Sequence, residues 1–238
     1  MSELLFEQPL NEKVRNYLRL EHLAKQLDTH LEQDHQQRCF YPLFALCELT
    51  ERCDFRSEIL KDIDRQLSLE SSDLAAFESP LIDQLLDYRE QLLSAERPGI
   101  HLKQNRFISA LRQRFNMPGT CCNFDLPQLH YWLSKPWHER QQDYEQWVNH
   151  FRCLLNPITL MLSSSRERCE YQPEVAPAGF FQRESTQALS LIRVKLHIDN
   201  GCYPTISGHR NRFAIHFVQF DQQKHSQQPI EFLLATCD

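Results

Sequence analysis

The chain has 238 residues, 41% of them hydrophobic and 24% charged, enough for one large domain or two small ones. Its net charge of -6 excludes the uniformly basic profile of a non-specific DNA binder, so any positive surface must be local. Its five glycines, none at P-loop or dinucleotide spacing, exclude the usual phosphate cradles.

The start, Met1-Ser2-Glu3-Leu4-Leu5-Phe6-Glu7, shows no basic n-region, and no run approaches the roughly 18 apolar residues of a membrane span. Nine cysteines are scattered without a Cys-x-x-Cys pair, which speaks against structural zinc. The expectation is a chain in a reducing cytoplasm, with most thiols serving as small core residues.

Leu4 to Pro9 reads as a short strand. Asn11 is then a helix N-cap with Glu12 in the first turn, followed by an apolar stripe of Val14, Leu18, Leu23, Leu27 and Leu31. Arg15, Arg19 and His22 share another face of that helix. Pro42 suits a first turn, Asp54 caps a helix carrying Phe55, Ile59, Ile63 and Leu67, and Ser79-Pro80 opens another with Leu81, Leu85 and Leu92. A further helix is expected from about Leu102 to Phe115. Lys103, Arg106, Arg112 and Arg114 make its outer face positive.

Met117-Pro118-Gly119 is a turn, and residues 120–125 read as a short strand, with Asp125 able to cap the helix from Leu126 or Pro127. That helix buries Leu129, Trp132 and Leu133. Another follows through Tyr144, Trp147, Phe151 and Leu155, and Asn156-Pro157 starts a last helix to about Glu170. Residues 173–185 read as a connector.

Beyond it the period changes from 3.6 to two. Ile192, Val194, Leu196 and Ile198 alternate with Arg193, Lys195 and His197. In the strand after Gly208, Phe213, Ile215 and Phe217 alternate with Arg212, Ala214 and His216. Ile230, Phe232, Leu234 and Thr236 form a last strand. If the strands carrying Arg193 and Arg212 pair in one sheet, its outer face is basic and suits an acidic, extended partner. Helices first and strands last make the fold class α+β.

No catalytic motif is present: Gly-x-Ser-x-Gly and His-Glu-x-x-His are absent, and pairing His209 with Cys121 or Cys122 has no support in spacing. The chain reads as a binding protein, not an enzyme, with no cofactor and no metal. The alternative from the residues alone is a single-stranded nucleic-acid module stacking bases on Tyr203, Phe217 or Phe220.

Three segments carry a resemblance: Leu5-Phe6-Glu7-Gln8-Pro9-Leu10-Asn11-Glu12-Lys13, Pro118-Gly119-Thr120-Cys121-Cys122-Asn123-Phe124-Asp125-Leu126-Pro127, and Tyr203-Pro204-Thr205-Ile206-Ser207-Gly208-His209-Arg210-Asn211-Arg212-Phe213-Ala214-Ile215. In this order they resemble the signature segments of the ZapD family of bacterial division proteins, which associate with the tubulin-like FtsZ. The resemblance implies a mainly helical domain over 11–172 and a β domain over 186–238 completed by short strands at 2–8 and 120–125. It implies a cytoplasmic homodimer at the division septum that binds the FtsZ C-terminal tail and bundles FtsZ filaments, with no nucleic acid and no membrane insertion. The tail-binding residues it implies are Arg19, Arg106, His130, Arg210, Arg212 and His216, the last standing where relatives carry Arg.

Overall fold

The computed structural model describes residues 3–70, 80–119 and 121–237. Ser2, Ser79 and Thr120, which stood at expected boundaries, and Asp238 lie outside them. The chain divides into two compact units, one of residues 1–19 and 160–238 and one of residues 20–159.

The first unit is a pair of antiparallel sheets. Strand β1 (Glu3–Pro9) stops at Leu10, and Asn11 starts helix α1 (Glu12–Glu32) by accepting the Val14 N–H at 2.8 Å. The remaining strands are β2 (Gln172–Ala176), β3 (Phe180–Glu184), β4 (Leu191–His197), β5 (Cys202–His209), β6 (Arg212–Gln219) and β7 (Ile230–Cys237). They form a four-stranded sheet in the order β1-β4-β7-β2 and a three-stranded sheet in the order β3-β6-β5. Period-two burial makes one core from both inner faces. Ile192 and Val194 come from one sheet and Phe213, Ile215 and Phe217 from the other, all at most 1% exposed. Each such side chain contributes roughly 1.5–3 kcal/mol by leaving water.

This topology changes three expectations. The strands carrying Arg193 and Arg212 belong to different sheets, so their basic residues do not share a face. Residues 173–185, expected as a connector, form most of β2 and all of β3. They are half-exposed strands at sheet edges, so apolar alternation is weak, and Pro173 is tolerated because an edge strand can spare its missing N–H. Residues 121–125, expected as a strand, form consecutive turns within the second unit. There the Cys122 Sγ donates to Asp125 Oδ2 at 3.0 Å, closing a local loop instead of extending the chain. Asp125 therefore does not cap the next helix, whose N-cap is Leu126.

The second unit is helical. Besides parts of α1 and α8 (Trp137–Glu167), it holds α2 (Phe40–Arg52), α3 (Phe55–Glu70), α4 (Pro80–Ser94), α5 (Ile100–Gln104), α6 (Arg106–Arg114) and α7 (Pro127–Ser134). Phe40 anchors its core, with Phe44, Phe107, Phe115, Trp132 and Trp147 all within 6.2 Å of its ring. The buried Tyr144 hydroxyl donates to the Cys39 carbonyl at 2.9 Å, satisfying a polar group inside this cluster.

Two helix boundaries also differ from expectation. The helix expected from Leu102 to Phe115 is broken at Asn105, whose side chain accepts the Ile108 N–H at 3.1 Å and caps α6. Pro157 does not begin a new helix; it sits inside α8. Proline removes one hydrogen bond there. The continuous buried stripe of Leu154, Leu155, Ile158, Met161 and Leu162 holds the helix across it.

Candidate functional site

Some arginines in this chain are neutralised by a specific carboxylate, and others stand exposed to solvent. Arg193 belongs to the first. Its Nε lies 2.9 Å from Glu7 Oε1, and Arg166 grips the same carboxylate at 2.9 and 2.7 Å. Lys195, two positions along, lies over the Tyr171 ring at 4.1 Å, and His197 faces Asp199 at 3.1 Å. The basic row of β4 is thus committed within its own unit.

The β5–β6 hairpin is different. Gly208 stands opposite Phe213, and a β-carbon there would lie 2.7 Å from Phe213 Cβ and 2.8 Å from the Arg212 carbonyl oxygen. Glycine allows this close approach, and the tip that follows carries His209, Arg210 and Arg212, all exposed. The Arg210 carbonyl accepts the Leu189 N–H at 2.7 Å, which fixes its backbone while its side chain forms no ion pair among the described residues. Arg212 is 67% exposed and reaches Glu184, its neighbour across the β3–β6 ladder, only at 3.8 Å. An ion pair this exposed holds the guanidinium weakly.

His216 follows on the Arg212 face of β6. It is half-buried between the rings of Phe180 at 4.7 Å and His225 at 4.9 Å. Arg19 is also in this unit, on α1. It is 55% exposed, 3.8 Å from Glu12 and 3.3 Å from the Asn16 side-chain oxygen.

In the helical unit, the expected positive face of residues 103–114 is largely neutralised. Arg112 forms a bidentate pair with Glu51 at 2.6 and 3.0 Å, and Lys103 reaches the same carboxylate at 3.5 Å. The Arg112 guanidinium holds the Glu51 carboxyl below its ordinary range. Arg114 donates to the Asp125 carbonyl oxygen at 2.9 Å. Arg106, the first residue of α6, is exposed and has no ion pair among the described residues. His130 is exposed on α7, which neighbours α6 through the Phe107 and Trp132 rings, 6.1 Å apart. The structure thus groups Arg210, Arg212 and His216 on one hairpin, with Arg19 in the same unit, and Arg106 with His130 on two adjoining helices.

Other chemistries fare poorly. Phe217 is fully buried, so it offers no base a stacking face, although Phe220 remains 73% exposed. Burial pushes the Cys39 thiol up to about 12 and the Cys47 thiol up to about 11, which leaves both as inert core groups. The Asp125 carboxylate raises the Cys122 thiol as well. No described helix is long and apolar enough to cross a membrane.

Sequence reasoning missed Glu184 and Phe180. No signal existed for either, because β3 pairs with a strand made nearly 30 residues later.

With this geometry in place, similarity to known proteins becomes informative. The ZapD family model, described as "Cell division protein", matches residues 18–216. The chain belongs to the ZapD family. The protein named "Cell division protein ZapD" of Shewanella sp. strain MR-7 is 62% identical, with all of both chains covered. Its namesake in Shewanella oneidensis is also 62% identical over all of both chains, and that of Vibrio parahaemolyticus is 41% identical over 98% of each. This ZapD family member is therefore a cell division protein, and the relatives carry that name rather than the name of an enzyme.

Proposed function

We propose that the protein binds the C-terminal tail of FtsZ and cross-links FtsZ filaments, acting as a cytoplasmic homodimer at the division septum. Family membership supports the partner. The contrast between committed and uncommitted arginines supports the residues: Arg106, Arg210 and Arg212 keep solvated guanidiniums while Arg112, Arg166 and Arg193 are neutralised by carboxylates.

Solvated guanidiniums suit recognition of a flexible acidic segment. They steer encounter over about one Debye length, then form charge-assisted hydrogen bonds with carboxylates. Arg19 and His130 add donors to the same task, and His216 adds an imidazole on the Arg212 face of β6. A dimer with one tail site per subunit joins two filaments, and bivalency raises effective affinity without new contacts. No cofactor or metal has a part in this mechanism.

Co-sedimentation tests the reading. Full-length FtsZ should bundle with the protein, and FtsZ lacking its C-terminal tail should stay unbundled. Equal bundling of the two would overturn tail binding. Light scattering of the purified protein should return twice the chain mass, and a monomer would remove the bridging step.

A further inference from the structure

The sequence places Cys169 two residues beyond α8 and Cys237 at the end of β7, 68 residues apart, and the fold brings them into disulfide contact with Cα atoms 5.7 Å apart. That separation lies in the middle of the range a disulfide spans. The other seven cysteines are free.

The surroundings make this pair unlike them. Cys237 is 1% exposed and packs with Val14 and Leu191, while partly buried Leu18 and Cys169 close the same small cluster. Both backbones are fixed independently of the sulfurs. The Cys237 carbonyl accepts the Ser190 N–H at 2.7 Å, Cys237 stands opposite Leu191 in the β4–β7 ladder, and the Cys169 N–H donates to the Arg166 carbonyl at 3.3 Å. The native frame therefore presents two cysteines at bonding separation before any bond forms. One of them remains within reach of a small oxidant.

We propose that Cys169 and Cys237 form a reversible redox clip, closed by a peroxide and opened by a dithiol. The partly exposed Cys169 acts first. Its thiolate attacks one peroxide oxygen, the O–O bond breaks, water leaves, and Cys169 becomes a sulfenic acid. The Cys237 sulfur then displaces the sulfenic hydroxyl as a second water, giving the disulfide. Two thiols are oxidised by two electrons in all, and one peroxide is reduced to two waters. A dithiol reductant returns the pair to thiols by exchange.

Closing the clip encloses β2 through β7 in one covalent loop and ties the end of α8 to β7. A loop of this length removes substantial freedom from the unfolded chain, so the oxidised form melts higher, by roughly 5–10 °C. The device is independent of what the protein binds.

The purified full chain is treated with one equivalent of hydrogen peroxide, alkylated under denaturing conditions, and analysed by intact mass and peptide mapping. The expected product has lost two hydrogens and yields a peptide cross-linked through Cys169 and Cys237. Dithiothreitol restores both thiols and lowers the melting temperature. Cys169→Ser removes the mass change and the redox dependence of melting, whereas Cys53→Ser, at an exposed cysteine, keeps both. Cross-linking through any other pair would overturn the proposal. So would full alkylation of Cys237 after peroxide, or a redox-dependent melting temperature that survives in a folded Cys169→Ser variant.

Discussion

Glu7 and Arg193 face each other across the β1–β4 ladder, with the carboxylate 18% and the guanidinium 12% exposed and 2.9 Å between them. Arg166, 14% exposed, completes the cluster from the end of α8. Two cations on one carboxylate in poor solvent make Glu7 the residue that cannot be spared. Removing its charge strips both largely buried guanidiniums of the carboxylate they share. We expect Glu7→Gln to cost about 3 kcal/mol, read as a lowered urea midpoint at unchanged slope. A loss under about 0.5 kcal/mol, the level of an ordinary surface change, would show the cluster to be incidental.

Arg212 and Arg112 should behave as opposites. Arg212→Ala is expected to weaken binding of an FtsZ tail peptide severalfold and shift stability by less than about 0.5 kcal/mol, since its ion pair with Glu184 is exposed. Arg112→Ala should leave tail binding near normal and lower stability, because it strips the bidentate partner from Glu51. Peptide titration by calorimetry beside chemical denaturation reads both quantities. The reverse ranking would overturn the assignment of Arg212 to the tail contact.

Two glycines separate hairpin shape from unit stability. Gly208→Ala should weaken tail binding by pushing the β5–β6 tip outward, as the added methyl meets Phe213 and the Arg212 backbone. Gly179→Ala should act on stability, by about 2–4 kcal/mol. Gly179 has φ +69°, and a β-carbon there would lie 2.6 Å from the Ser226 carbonyl oxygen. Thermal melts should show the larger loss at Gly179; equal melting of both variants and wild type would contradict the packing described for Gly179.

Stability should fall in two stages on acidification. His30 and His150 are held below the ordinary histidine value by burial first and by the neighbouring His35 and His101 second. A depressed pKa means the unfolded chain takes up the proton first, so their contribution is present above the unfolded value of about 6.5 and is lost as pH falls through the folded one. Glu51 and Asp34 are held low by hydrogen bonds from Arg112 and Arg140, respectively. Their contribution is complete above about pH 4 and is lost as pH falls through their folded values. Urea midpoints across about pH 8 to 3 should therefore drop in two steps, and Glu51→Gln should shrink the lower one only. A midpoint that rises on acidification from neutrality would refute the histidine part.

The inner faces of β4, β6 and β7 were legible from their period-two pattern because burial on one side forces alternation. The division of those strands between two sheets was not legible, because an inward residue looks the same whichever sheet holds it. The edge strands β2 and β3 escaped notice for the opposite reason: half-exposed, they carry too little apolar pattern to register. At the site, composition displayed every basic residue but not its state. Arg106 and Arg112 are indistinguishable in sequence; only the distant Glu51, brought back by α2, separates them. Asn105 was readable as a cap in retrospect, yet the apolar spacing across it ran on uninterrupted, and that periodicity dominated.

Strand β1 carries a cost in time. Leu5 pairs with Lys195, so during synthesis this strand waits for a partner made about 190 residues later. At about 5–20 residues per second, that interval is roughly 10–40 s. Residues 20–159 emerge complete within it and can fold meanwhile, while Leu4 and Leu5 stay unpaired in the open. The nascent chain thus holds an apolar edge available to chaperones, and the sheet that receives it closes last.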